Sequence, residues 1–288
     1  DWPGELWALM LDTKSTFDAL VVKEAETPEQ AQRILDNRFY KNISSALSAT
    51  QEFMAMEKLY ELHVESDVDL VVVDTPPTRN ALDFLDAPGT LTRFLDHPLY
   101  KVVMAPTRGV LKVAGVATQA FLRTVAKVVG SEVIDDAIAF FQAFQGMEDG
   151  FRARAGHVDA LLADAATRFV LVASPRRDTL AEAVFFADAL AEADIAVSAL
   201  IVNRMHPRFA DGLGEAARER ADTLAGTDLG EQYANLADFQ LIAGREEDHL
   251  DDLVGRIGDA TVVRVPILRS DVHDLEGLDR LAAHVFAG

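Results

Sequence analysis

Residues 69–85 read DLVVVDTPPTRNALDFL, an apolar run that stops on a carboxylate and two prolines before a helix-like pattern resumes. Ligands of open parallel sheets sit beyond the carboxyl ends of the strands, so Asp74 is presented where binding happens. A carboxylate there can hold a magnesium ion, directly or through water, and the hydroxyls of Thr75 and Thr78 follow close behind. Pro76 and Pro77 remove two amide donors and restrict the backbone, which defines the turn into the next helix. The plainer alternative is that Asp74 caps that helix and the prolines shape an ordinary loop.

The elements that would position these residues follow from hydrophobic pattern. Apolar runs at 6–11 (LWALML), 69–74 (DLVVVD), 169–174 (FVLVAS) and 197–203 (VSALIVN) read as strands, with a fifth at 261–268 (TVVRVPIL). The middle three are continuously apolar and rich in valine, which suits strands covered on both faces. Helical spacing runs over 28–63 and 180–192, and strand, helix, strand at short intervals predicts parallel crossovers in a doubly wound α/β sheet. From 82 to 164 no strand is expected. That stretch reads as an inserted helical subdomain of one domain spanning 1–288, with helices stopped at 86–89, 96–98 and 105–109 by Pro and Gly. The acidic stretch 211–259 also reads as helical, with turns near Gly226 and Gly244.

Composition bounds the function. A chain of 288 residues, 49% hydrophobic, can bury a sizeable core. Lys and Arg number 27 against 47 Asp and Glu, a net charge of -20 that repels nucleic acid and anionic membrane surfaces. Cysteine is absent, which excludes disulfides, thiolate metal sites and cysteine nucleophiles and suits a reducing cytoplasm. No secretory signal is visible in DWPGELWALM, and the apolar stretch 110–129 is broken by Lys112, Arg123 and Lys127, short of the roughly 20 apolar residues of a membrane span. It reads as a buried helix in a cytoplasmic protein with no integral membrane segment. Neither a His-carboxylate metal cluster, a Gly-x-Ser-x-Gly elbow nor a catalytic triad is apparent.

The stretch DLVVVDTPPTRNALDFLDAPGTL resembles the second switch of the arsenite-pump and tail-anchored-protein-targeting ATPase family, where a strand ends in Asp-Thr-Ala-Pro-Thr-Gly-His-Thr-Leu. ALIVNRMHP is similar to that family's strand ending in Val-Asn, and VRVPILRSDVHDLEGL to its adenine-side loop. FVLVASPRRDTLAEAVFFADAL, LDTKSTFDAL and EFMAMEKLYEL add likeness to a bacterial branch, the ArsA-like anion-transporting ATPases. The resemblance implies a phosphate-loop (P-loop) NTPase fold of the deviant Walker A class, binding ATP or ADP with Mg2+. It implies that Asp74, Thr75 and Thr78 form the catalytic switch, with Asp74 on the metal through water. Asn203 would contact adenine, with Val265, Pro266, Ile267 and Leu268 packed around the base. For Asn203 the plainer alternative is a turn-former. Arg79 and Asn80 replace the family's Gly and His, and Pro77 adds a second proline, which puts switch coupling in doubt more than fold.

The family's Gly-Lys-Gly-Gly-Val-Gly-Lys-Thr loop occurs nowhere in these 288 residues, nor does an equivalent of the catalytic Asp of its first switch. With Asp1 at the front, the expectation is that about 80 residues with the first strand and loop precede this chain. The chain should then not hydrolyse ATP alone, and it should leave apolar faces and a sheet edge uncovered. The rival expectation is a true pseudo-ATPase: a non-catalytic module or partner subunit that holds a hydrophobic segment or a catalytic paralogue. The family's facing nucleotide sites imply a homodimer or a heterodimer with a related ATPase subunit, coupling nucleotide state to a client.

Three further features carry weaker signals. Phe140, Phe141, Phe144, Met147 and Phe151 form a stripe that suits a hydrophobic client, but reads more readily as subdomain core. Arg176 and Arg177 could meet a phosphate, a facing subunit or only solvent. His206 reads as a loop residue near the base pocket.

Overall fold

The structure is a computed structural model and describes residues 4–43, 48–75, 78–97, 100 and 131–286. It divides into two compact units, Asp1–Asp164 and Ala165–Gly288, each described by itself.

The first unit is helical among its described residues: α1 (Thr13–Glu24), α2 (Pro28–Asp36), α3 (Arg38–Ile43), α4 (Ser48–Glu65), α5 (Thr78–Asp96), α6 (Ser131–Ala143) and α7 (Glu148–Leu162). Asp12 caps α1 by accepting the Ser15 amide, and Thr27 caps α2 with Pro28 in its first turn, where the missing N–H costs nothing. The helical pattern over 28–63 is interrupted after Asp36, because Asn37 leaves helical geometry and its side chain accepts the Tyr40 amide at 3.1 Å to start a new helix. The stop expected at 86–89 does not occur. Helix α5 runs through Pro88 and Gly89, with Asp86, Thr90 and Arg93 bonded on its exposed side and Ala87 and Leu95 buried. Packing thus outweighs the roughly 3 kcal/mol an internal proline costs a helix. The expected stop at 105–109 and the helix expected over 110–129 lie outside the described residues.

The aromatic stripe is core. Phe140, Met147 and Phe151 are buried with Phe17, Tyr40, Ile34 and Met54, while Phe141 and Phe144 pack against that cluster. The rings of Phe140 and Phe144 lie 4.7 Å apart, and Phe140 also meets Phe39 at 5.5 Å. Gln30 ties α2 to the end of α6, donating to the carbonyls of Ala143 at 2.8 Å and Gln145 at 3.0 Å.

Beside this apolar centre lies a buried ionic triad. Arg154 of α7 donates to Glu24 of α1 at 2.8 Å and to Glu57 of α4, and its guanidinium sits 4.5 Å over the Tyr60 ring. A side chain at Gly150 would run into the Glu24 carboxylate, so glycine there leaves room for that carboxylate beside Arg154. Burial pushes the Glu57 carboxyl up to about 7 against the opposing pull of Arg154, with Glu24 and Glu61 adding to the rise and Lys23 reducing it. A carboxyl raised on folding stabilises the fold fully below its ordinary value of 4.5, and that contribution is lost as pH rises through about 7. Urea unfolding across that window should therefore show stability falling with pH in the native chain, and a shallower fall in Glu57→Gln.

Two expected strands are absent. Residues 6–11 and 69–74 carry no strand pairing among the described residues, and most of their apolar side chains face solvent, with Met10 93% and Val72 82% exposed, while Leu11 packs against the hydrophobic cluster. A strand exists only where a neighbour takes its backbone groups, and neither segment has one here.

The second unit contains β1 (Phe169–Ala173), α8 (Arg177–Glu192), β2 (Val197–Met205), α9 (Leu213–Thr223), α10 (Asp228–Ile257), β3 (Thr261–Pro266) and α11 (Leu275–Val285). Its sheet is parallel in the order β1-β2-β3, with Leu171 opposite Leu200 and Leu200 opposite Val262. Leu171, Leu200 and Val202 are buried beneath a helical layer that includes Leu180 and Leu190 of α8 and Leu250 and Leu253 of α10. Val170 and Val172, on the other face of β1, are exposed. The turn expected near Gly226 is present, with Gly226 at a φ of 79° between α9 and α10. The turn expected near Gly244 is not, because α10 continues for 30 residues through it, its buried face held by α8 and α9.

Candidate functional site

The switch residues lie in the first unit. Asp74 and Thr75 are exposed at the end of the unpaired segment 69–75, and Thr78 opens α5, with its side chain outside the described residues, as are Pro76 and Pro77. Asp74 has no ion-pair or hydrogen-bond partner among the described residues. An exposed, uncommitted carboxylate is the donor that Mg2+ uses when waters and phosphate oxygens supply the rest of its octahedron. Among the described residues no three His, Asp or Glu converge to hold a metal by protein ligands alone.

The residues expected around a base lie in the second unit and meet at the carboxyl edge of its sheet. Asn203 is exposed near the end of β2, where the register with β3 slips between Val202 and Met205. The slip coincides with Arg204 at a φ of 65°, a left-handed backbone that turns the chain out of the ladder. Pairing resumes at once, with Met205 opposite Pro266 and the Ile267 amide donating to the Met205 carbonyl at 2.9 Å. Asn203 and the 265–268 loop are thereby neighbours. Within the loop the residues differ: Val265 is buried in the core, Pro266 and Leu268 are half-buried, and Ile267 is exposed. Asn203 and Ile267, both exposed, offer an amide and an apolar side chain at the same edge of the sheet.

The segment after Asn203 is fastened to α10. Glu246 accepts the His206 amide at 2.7 Å and faces its Nδ1 at 2.8 Å, while Gln240 donates to the Pro207 carbonyl at 3.1 Å and accepts the Phe209 amide at 3.2 Å. His206, read from sequence as a loop residue, is thus a ring held by a carboxylate, with Phe239 beside it at 5.6 Å. No sequence signal marks Glu246 as its partner, 40 residues away on a helix crowded with acids. Arg176 and Arg177 stand at the carboxyl end of β1: Arg176 pairs with Asp178 at 3.0 Å, and Arg177 donates to His249 of α10 at 3.2 Å.

An amide beside an apolar loop at the carboxyl edge of a parallel sheet stands where open α/β sheets hold their ligands. The chain matches the sequence profile of the anion-transporting ATPases over residues 5–223 and belongs to that family of P-loop nucleotide hydrolases. No curated protein matches the chain. Among the described residues no helix is long and apolar enough to cross a membrane.

Proposed function

We propose that this chain is the switch and base-binding part of an ATP-hydrolysing protein that couples nucleotide state to a client or partner subunit. The observation that carries the reading is the family match over residues 5–223, joined to the adjacency of Asn203 and the 265–268 loop. In this reading Asp74 orders a magnesium-bound water, and the Thr75 and Thr78 hydroxyls sense the terminal phosphate. Asn203 donates to and accepts from the adenine edge, while Ile267, Pro266 and Leu268 cover the base. Phosphoryl transfer needs wrapped phosphates and a lysine, and none of the 288 residues forms a Gly-x-x-x-x-Gly-Lys sequence. The 288 residues alone therefore bind through the base side and do not turn over ATP.

The finer architecture belongs to the same proposal: the sheet is part of a doubly wound P-loop NTPase domain, and the helical stretch 82–164 transmits the switch. The protein works as a homodimer or with a related ATPase subunit, in the cytoplasm. The lack of the Gly-rich sequence equally favours a second reading, a non-catalytic subunit that holds a catalytic paralogue.

Calorimetric titration of Mg-ATP into the protein tests the base site. Asn203→Ala should weaken ATP about tenfold, the worth of about 1.4 kcal/mol in lost hydrogen bonds, and should reduce discrimination against GTP. Equal affinity of the variant and the native protein for both nucleotides removes Asn203 from the site. ATP turnover by the protein as its gene encodes it, lost in Asp74→Asn, separates the switch reading from that of a non-catalytic subunit.

A further inference from the structure

We propose that the cavity between the carboxyl end of β1 and the middle of α10 is an oxyanion site that takes a phosphate group, held chiefly by Arg177 and Arg245. The cavity measures about 530 Å³ and is lined by residues 175–178 of the β1–α8 junction and by Ile242, Arg245, Glu246 and His249 of α10. The chain carries a net charge of -20, yet three guanidiniums converge here against two carboxylates. Both carboxylates are already committed. Asp178 takes Arg176 through both oxygens, at 3.2 and 3.0 Å, and Glu246 spends both of its oxygens on His206.

Three guanidiniums against two carboxylates leave one net positive charge, and neither Arg177 nor Arg245 pairs with an acid among the described residues. Arg245 is exposed and has no hydrogen-bond or ion-pair partner among the described residues. Arg177 is held in place by a neutral acceptor, Nε2 of His249, and so keeps its charge. Accepting there puts the ring proton of His249 on Nδ1, and that nitrogen is buried with no hydrogen-bond partner. At the cavity surface the guanidiniums of Arg177 and Arg245 offer donors that no carboxylate among the described residues takes up. A phosphate supplies the missing acceptors, since its oxygens take several charge-assisted hydrogen bonds at once and arginine forks match its geometry. The site also sits at the carboxyl edge of a parallel strand, where such ligands are held in open α/β sheets.

The proposal does not rest on the nucleotide reading, and because free inorganic phosphate and the phosphate tail of a nucleotide present the same oxygens, two ligands are titrated. Calorimetric titration of the 288-residue chain with inorganic phosphate, and separately with Mg-ATP, distinguishes the sources. The variants are Arg177→Gln, Arg245→Gln and, as a charge-matched control, Arg280→Gln, whose side chain pairs with Glu276 on α11. Arg177→Gln and Arg245→Gln should each weaken binding about tenfold, the usual worth of a charge-assisted contact, with Arg280→Gln unchanged. Arg245 is unpaired, so its variant retains the fold even if loss of Arg177 disturbs α10. The imidazole resonances of His249 should shift as phosphate is added. Loss of affinity for phosphate identifies a free-anion site; loss for Mg-ATP alone assigns the contact to a nucleotide. Absence of binding in both titrations overturns the proposal, as does equal affinity across the three variants or a His249 signal that does not move at saturation. ATP binding that falls in Asn203→Ala but not in the arginine variants, with no phosphate binding, sinks this site while leaving the base site standing.

Discussion

Arg154→Ala will destabilise the helical unit by about 3–5 kcal/mol, the range for removing one partner of a buried ion pair. Arg154 is 7% exposed and is the cation on which Glu24 and Glu57 both converge. Three helices meet through it, so alanine removes the charge, the stacking on Tyr60 and the packing of a long stem together. What remains is two carboxylates with little water around them. The loss should be greatest in alkaline medium and should shrink on acidification, because Glu57, already raised by burial and then relieved of the lowering pull of Arg154, takes up a proton. Arg154→Met restores apolar volume and should recover little in alkaline medium, where the acids stay charged and uncompensated. Adding Glu24→Gln and Glu57→Gln to it should recover most of the stability, since a buried triad replaced by neutral groups often costs nothing. Urea unfolding followed by helical circular dichroism measures all of these variants. A loss below about 1 kcal/mol for Arg154→Ala would mean that water reaches the triad as it reaches a surface pair.

That triad shows why only part of this fold was legible in the sequence. The runs at 169–174 and 197–203 and the run beginning at 261 became β1, β2 and β3, because local apolar pattern and an available neighbour agreed. Residues 69–74 have the same valine-rich pattern and form no strand, since pairing is a property of two segments and pattern describes only one. Pro88 and Gly244 punctuate the sequence but not the helices, where tertiary packing outweighs a local cost of about 1–3 kcal/mol. At the candidate site, Asn203 and the 265–268 loop were marked by resemblance, and the sheet register explains how they come to be neighbours. Their surroundings were not readable. Glu246 against His206 and His249 against Arg177 join residues 40 and 72 positions apart, and nothing in the spacing of a 30-residue acidic helix tells which acid or imidazole faces the sheet.

Phe140→Ala should cost about 3–5 kcal/mol, as for other large-to-small changes in a packed core. Phe140 is 4% exposed and touches rings from two directions, Phe39 and Tyr40 on one side, and Phe141 of its own helix with Phe144 just past the helix end on the other. The opposite expectation attaches to a client groove, whose residues are exposed in the free protein and whose truncation changes stability by about 0.5 kcal/mol or less. The two are separated by one measurement, the urea midpoint of Phe140→Ala at unchanged slope. A large loss means that the aromatic stripe builds the helical unit, so that a hydrophobic client would have to bind elsewhere. The exposed apolar segments 5–11 and 69–75 are then the surfaces to examine, because they carry the largest uncovered side chains of that unit. A negligible loss would return the stripe to solvent and to a binding role.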